Sequence, residues 1–371
     1  MAYYKPVFVL FNFIMWPFII LTQLLALMSS VIFYWFFQPK QRLAKAGLFL
    51  SIFIINNVFL LYGLSEFWRE RFHVYLVVGI LQGFMFYAAL ITAVIALVYV
   101  YILKQKLRPK LIRAVAAITY IGIVGLAVFN AYSPVVHRLN VTTDKPLKRP
   151  LQIALVSDTH LGRWFGNRQI DKLVKLIDAQ NPDVVVIAGD VMNDSTDAYD
   201  KTNMHAHLSK LTAPLGVYAT LGNHDYSGNE VAIAKAVERA GIQVIDNKSI
   251  WLDDSVLLIG RSDETDPARP AAIELLSEVR ADKPVIFLEH SPADLEQIKG
   301  LPIDLHLSGH THGGQIFPLT ILLKWFTPLV YGAKYSEGTQ FLVTSGYGIG
   351  AVPFRLGTRS EIWMITLQSA Q

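Results

Sequence analysis

Five short stretches place Asp, Asn and His directly after apolar runs. "ALVSDTHLG" ends in Asp158 and His160, and "VVIAGDVMND" in Asp190, Asn193 and Asp194. "YATLGNHD" ends in Asn223, His224 and Asp225, "VIFLEHSP" carries His290, and "HLSGHTHGG" carries His310 and His312. The chain has no cysteine, so thiolate metal sites and disulfides are excluded. Imidazole, carboxylate and amide donors suit borderline or harder divalent ions such as Mn, Fe or Zn. Seven candidate ligands exceed the three or four that one catalytic ion takes from a protein. Two ions sharing one carboxylate would use them all, and a pair about 3.5–4 Å apart clamps the attacking and leaving oxygens of a phosphoryl displacement. Residues two apart at a strand end point to the same side. Asp158 with His160, and His310 with His312, are therefore read as two claws, with neighbouring glycines giving clearance and sharp turns.

The elements that must position these residues are legible around them. The apolar runs at 151–157, 183–189, 216–222, 284–290, 303–309 and 340–346 read as strands. "NRQIDKLVKLIDAQ" (167–180), with Asn167 a possible cap, and "NEVAIAKAVERAG" (229–241) read as helices. Strands alternating with helices predict an α/β domain over residues 151–371. In such a sheet, ligands bind in the crevice beyond the carboxyl ends of the strands. Residues 134–150, with three prolines and no periodicity, read as a linker.

The first 133 residues are of another kind. They hold four apolar stretches, at roughly 7–37, 47–65, 74–103 and 112–133, each long enough to cross a bilayer core. A four-helix transmembrane anchor is expected, and a cleaved signal peptide is not. Charge divides along the same line. Up to Thr143 there are twelve Lys/Arg against Glu66 and Glu70, a charge of +10, and the rest carries −6. The basic pI therefore belongs to membrane loops and gives no reason to expect nucleic acid. Loop one carries Lys40, Arg42 and Lys45; loop three carries Lys104, Lys106, Arg108 and Lys110, with Arg113 just beyond; loop two carries only Arg69 and Arg71. Placing the richer loops inside predicts outward termini and a periplasmic or extracellular C-terminal domain. Arg138, Lys145, Lys148 and Arg149 run against this but precede a long domain, whose translocation depends little on charge.

The order D-x-H, G-D, G-N-H-D, H, G-H-x-H resembles the calcineurin-like metallophosphoesterase superfamily. It is carried by Asp158-Thr-His160, Gly189-Asp190, Gly222-Asn223-His224-Asp225, His290 and Gly309-His310-Thr311-His312. "GHTHGGQ", "EHSPAD" and the tail "GYGIGAVPFRLGTRSEIWMITL" look most like a membrane-associated bacterial branch of phosphodiesterases. The resemblance implies two facing β-sheets flanked by helices. It implies one ion on Asp158, His160, Asp190 and His312, and another on Asp190, Asn223, His290 and His310. It further implies attack on phosphorus by a hydroxide between the ions, with His224 as acid or charge stabiliser, oriented by Asp225. Where many relatives have an acid three residues after the Gly-Asp pair, this chain has Asn193 followed by Asp194.

These readings predict a membrane-anchored hydrolase of a phosphodiester or pyrophosphate, in a lipid or envelope component, at a bacterial inner membrane. A phosphoesterase of soluble nucleotides or phosphomonoesters is the first alternative, and a non-catalytic membrane sensor or scaffold the second. His306, His205 and His207 are read as structural or surface histidines, Arg163 as loop, and the 346–350 glycine run as a turn. Residues 319–332, "LTILLKWFTPLVYG", are either core or an apolar lip that dips into a membrane.

Overall fold

The computed structural model describes residues 5–64, 75–227, 229–350 and 352–370. It divides into two compact units, Met1–Leu126 and Ala127–Gln371. The first unit contains α1 (Lys5–Phe37), α2 (Arg42–Leu64), α3 (Tyr75–Leu97), extended by a π-turn Val98–Ile102, and most of α4 (Pro109–Tyr132). Two helical stretches among the described residues, Gly83–Ile102 and Pro109–Tyr132, are long and apolar enough to cross a membrane. Thr22–Phe37 is a shorter apolar stretch. Within this unit Gln23 and Asn57 exchange amide hydrogen bonds at 2.8 and 3.3 Å. Such polar bonds hold helices together where the surroundings offer no hydrophobic driving force. The expected second loop, with Arg69 and Arg71, lies outside the described residues.

The second unit is a β-sandwich. One sheet runs β1 (Val135–Thr143), β12 (Glu361–Ser369), β2 (Leu151–Val156), β3 (Val184–Ala188), β4 (Val217–Thr220), β5 (Gln243–Val244). The other runs β10 (Gly332–Ser336), β11 (Thr339–Val343), β9 (Leu305–Ser308), β8 (Val285–Leu288), β7 (Val256–Gly260), β6 (Lys248–Leu252). The inner faces meet in one core: Ile153, Leu155 and Val186 from the first sheet pack with Leu258, Leu288 and Leu307 from the second. The alternate residues Ala154, Val156 and Val185 face outward under α5 (Asn167–Asp178) and α7 (Glu230–Arg239). Strands buried on both faces must be apolar at every position, which is why "VVVIA" and "VIFL" run without alternation.

β2, β3 and β4 are mutually parallel, as are β7, β8 and β9. Their carboxyl ends therefore gather the motif residues. The expected linker is corrected over most of its length. Val135–Thr143 forms β1, paired in parallel with β12 in nine-residue register. It is an edge strand with only Val141 and Thr143 buried, so it lacks the apolar run that marks the central strands. Asn167 is also not the helix cap. Gly166 holds that position, and the Asn167 amide instead donates to the Thr202 carbonyl at 2.8 Å.

Candidate metal centre

Five of the seven ligand candidates stand two or three residues past a strand, and His160 and His312 stand two residues beyond Asp158 and His310. Asp158 follows β2, Asp190 follows β3, Asn223 follows β4 and opens α6 (Asn223–Ser227), His290 follows β8, and His310 follows β9. Asp158, His160, Asp190, His310 and His312 all have positive φ, between 44° and 68°. Side chains rarely adopt that conformation, and Asp and His are among those that do. Held strain of this kind, about 1–3 kcal/mol per residue, collects at functional sites.

The donor atoms converge in two sets. In the first, His160 Nε2 lies 3.1 Å from His312 Nε2 and 3.9 Å from Asp158 Oδ1, and His312 Nε2 lies 3.5 Å from Asp158 Oδ1. In the second, Asn223 Oδ1 lies 3.1 Å from His290 Nε2 and 2.9 Å from His310 Nδ1, with the two nitrogens 3.1 Å apart. Asp190 Oδ2 joins both, 3.5 Å from His160 Nε2 and 3.3 Å from His290 Nε2. Donors at about 2.1 Å from one ion stand about 3.0–3.5 Å apart. Asp158 Oδ1 is also buried with no hydrogen-bond donor. A bare buried carboxylate oxygen is costly, and a cation at that point removes the cost. The residues present therefore fit divalent metal binding.

The supports explain which atom is left for the ion. Asp158 Oδ2 accepts from the Ser157 hydroxyl and from the His310 N–H at 3.1 Å, leaving Oδ1 free. Asp190 Oδ1 accepts from the His224 N–H at 2.9 Å, leaving Oδ2 free to serve both sets. Gly222 permits this, because a Cβ there would stand 2.3 Å from Asp190 Oδ1. His290 Nδ1 bonds the Ala188 carbonyl at 2.8 Å, which fixes the tautomer with Nε2 as the free donor atom. Burial lowers the pKa of His160, and that of His312 to about 3, so both rings are neutral and available to a metal. Burial opposes charge on His290 too, yet the Asp190 and Asp158 carboxylates outweigh it and push it up to about 10, so without an ion Nε2 holds a proton that metal binding would displace.

His224 stands at the rim, with its ring edge-on to His160 and 4.9 Å from it between centroids. Its expected partner is corrected. His224 Nδ1 pairs with Asp194 Oδ1 at 2.7 Å, not with Asp225. Burial opposes the charged ring, but Asp194 and Asp190 prevail and raise its pKa, which favours a proton-donating imidazolium. Asp225 points the other way, into the core. It accepts from the N–H groups of Val191, Met192 and Gly222 at 2.9–3.0 Å, clamping the Asp190 loop to the Asn223 turn. Burial and the Asp190 charge raise its pKa to about 7, while those three N–H groups pull it down.

The structure adds one functional residue that carried no sequence signal. Arg355 is fully buried and donates to the carbonyls of Ser345 (2.7 Å) and Gly348 (2.8 Å) while reaching His312 Nδ1 at 3.2 Å. It ties the 345–350 turn to the first ligand set. Gly348 lies so close beneath the first claw that a Cβ would meet the Asp158 carbonyl at 2.4 Å. The glycines after His312 are corrected as well. They do not clear space for ions. Gly313 makes room for the Thr358 methyl and Gly314, at φ +85°, for the backbone of Thr320. His306 is a buried partner of Glu289 at 2.8 Å, and His207 pairs with Asp171 at 2.8 Å, so neither joins the centre.

The calcineurin-like phosphoesterase model matches residues 151–314, the span that holds all five blocks. The chain is 32% identical to an uncharacterised metallophosphoesterase of Bacillus subtilis, over 59% of this chain and 79% of that one. It is 28% identical to another from Campylobacter jejuni, over 86% and 88%. It is 33% identical to a bovine transmembrane protein with metallophosphoesterase domain, over 72% of this chain and 64% of that one. The chain thus spans somewhat under two thirds of the bovine relative's length. With fold, site and relatives in agreement, the chain belongs to the calcineurin-like phosphoesterase family, metal-dependent hydrolases of phosphoesters.

Proposed function

We propose that this protein is a membrane-anchored phosphoesterase that uses two divalent ions, Mn, Fe or Zn, to cleave a phosphodiester or pyrophosphate bond in a lipid or envelope component. The observation that carries the chemistry is Asp190 Oδ2, shared between two otherwise separate donor sets. When bound, the ions supply an activated water and neutralise phosphate charge. The chain's own residues do the rest. Asp190 fixes the separation of the two sets, and His224, charged by Asp194, delivers a proton to the leaving oxygen. Membrane attachment rests on Gly83–Ile102 and Pro109–Tyr132. Four spans, and a domain outside a bacterial inner membrane, rest on the apolar stretches and the distribution of basic loop residues.

Hydrolysis of a bis-aryl phosphate by purified full-length protein with added Mn²⁺ tests the chemistry. Asp190→Ala is expected to remove at least about 10³-fold of the rate, and His224→Ala about 10²–10⁴-fold. Metal-loaded protein that cleaves no phosphoester would sink the enzyme reading. A phosphatase or fluorescent reporter fused at the C terminus reads out sidedness.

A further inference from the structure

Residues 317–331 follow directly on the second claw. Of the two readings of 319–332, core holds only at its end, where Val330 is buried and Leu329 packs on the second sheet's core; before it Trp325 is 74% exposed and Phe326 80%, with Leu319, Ile321 and Leu322 also exposed. The segment is a short α-turn, Leu319–Leu322, and a 3₁₀ turn, Leu323–Trp325, with no buried residue in either. Water is a poor environment for five large apolar side chains on one excursion, so something covers them.

The same unit indicates what. Its first six residues, 127–132, are the last turn and a half of α4, the helix long and apolar enough to cross a membrane. That turn is built into the domain. The Ala127 carbonyl accepts from the Arg355 N–H at 2.9 Å and the Asn130 carbonyl from Ser360 N–H at 3.0 Å, and the Arg359 guanidinium sits 5.1 Å over the Phe129 ring. Asn130 then lines a cleft of about 500 Å³ together with Ile321, Lys324, Tyr331 and Arg359. The helix exit and the apolar excursion thus border one cleft, at one level of the domain. Trp and Tyr beside Lys and Arg is the composition of an interfacial anchor, with rings in the headgroup region and cations toward phosphate. Lys324 has no carboxylate partner among the described residues.

We propose that the exposed apolar side chains of residues 319–326 insert into the interface of a lipid bilayer and hold the metal centre at headgroup depth. The coupling to the centre is short. The Thr320 backbone packs where a Gly314 side chain would stand, two residues after His312. The proposal deepens the membrane reading and rests on it, giving a lipid-borne phosphoester a path to the ions without leaving the bilayer.

The absence of cysteine makes the test direct. Trp325→Cys and Phe326→Cys variants of the full chain each take one nitroxide label. Val231→Cys on α7, 59% exposed and next to the sheet edge opposite β1, serves as the aqueous control. In bilayers of phosphatidylethanolamine and phosphatidylglycerol, power saturation compares relaxation by oxygen with relaxation by a water-soluble nickel chelate. The oxygen-to-nickel ratio at 325 and 326 is expected to exceed the control by about tenfold. A ratio equal to the control places the segment in water and overturns the proposal. Protection from both relaxants, as a protein partner would give, overturns it too. Failure of the protein to hydrolyse any phosphoester leaves this ratio unchanged, so the two readings fail separately.

Discussion

Asp158, His160 and His312 have 0, 1 and 13% of their side chains exposed, whereas the other set joins a fully buried His290 to an exposed His310 and a half-buried Asn223. Asp190, in both donor sets, sits between a sealed pocket and an open one. The sealed set is stiffened from behind by Arg355 and by the glycine turn beneath Asp158. The open set hangs on one strand end, one short helix and the tip of the GHTH turn. With an ion in each set, as proposed, the difference would assign them different tasks. A sealed, pre-oriented set loses little entropy on binding and exchanges slowly. An open one leaves room for substrate beside its ion.

Metal titration is the strongest way to break that contrast. Stripping the ions with chelator should abolish hydrolysis and lower Tm, because ions that bind only the folded state add about 3–4 kcal/mol at 100–1,000 times Kd. Adding Mn²⁺ back should restore two equivalents in separate steps, followed by calorimetry and metal analysis. His312→Ala should delete the tight step and His310→Ala the weak one. If His310→Ala removes the tight step instead, the sealed set is not the stronger site.

Arg355 sharpens the same contrast from the protein side. Arg355→Ala would strand several buried carbonyls, at about 1–3 kcal/mol each, and Tm should fall steeply. Arg355→Lys keeps the charge but loses the fork that spans several carbonyls and His312 at once. It should weaken the tight ion about tenfold and leave the weak one alone. Equal weakening of both would show that Arg355 supports the domain at large, not the sealed set.

The seven residues whose side chains converge were legible in the sequence because each block couples a buried strand to a polar end, and both halves of that signal are local. What was illegible is non-local. Asp225 adjoins His224 in sequence, but on a helix neighbours one apart point about 100° from each other, so adjacency misassigned the pair. Asp194, the real partner, lies thirty residues away in a loop. Arg355 reaches His312 across forty-three residues, and nothing in "PFRLG" marks it as buried. β1 escaped because its partner β12 is the last strand of the chain and its own burial is one-sided. The apolar 319–332 run was visible, but hydropathy alone does not separate buried from exposed apolar residues.

Exchanging the roles of the two acids is the next smaller effect. Asp194→Asn leaves His224 in place but removes the charge that favours its protonated form. The rate should fall about 10–100-fold with Tm unchanged, and the alkaline limb of the pH profile, where His224 loses its proton, should move to lower pH. Asp225→Asn turns one of the two accepting oxygens into an amide donor facing backbone N–H groups, which strands the Met192 N–H or both the Val191 and Gly222 N–H groups, and should lower Tm before anything else. The opposite pattern would restore Asp225 as the partner of His224.

The smallest effect concerns the open set's support. Asp246 accepts from the Leu221 N–H at 3.0 Å and the Tyr226 hydroxyl at 2.8 Å, bracketing the turn that presents Asn223. Burial raises its pKa to about 6, against the pull of those two bonds. A carboxyl raised on folding binds its proton more tightly in the native state. Its stabilising contribution is therefore full below the unfolded value near 4 and is lost as pH rises through about 6. Over pH 4 to 6 that amounts to about 2 kcal/mol. Asp246→Asn does not titrate, so its Tm relative to the parent should climb across that window. The weak metal step, read at fixed free Mn²⁺, should lose the matching part of its pH dependence while the tight step keeps its own. A parent-minus-variant difference that is flat from pH 4 to 6 would mean that Asp246 stays ionised, and that the turn carrying Asn223 is held equally well throughout.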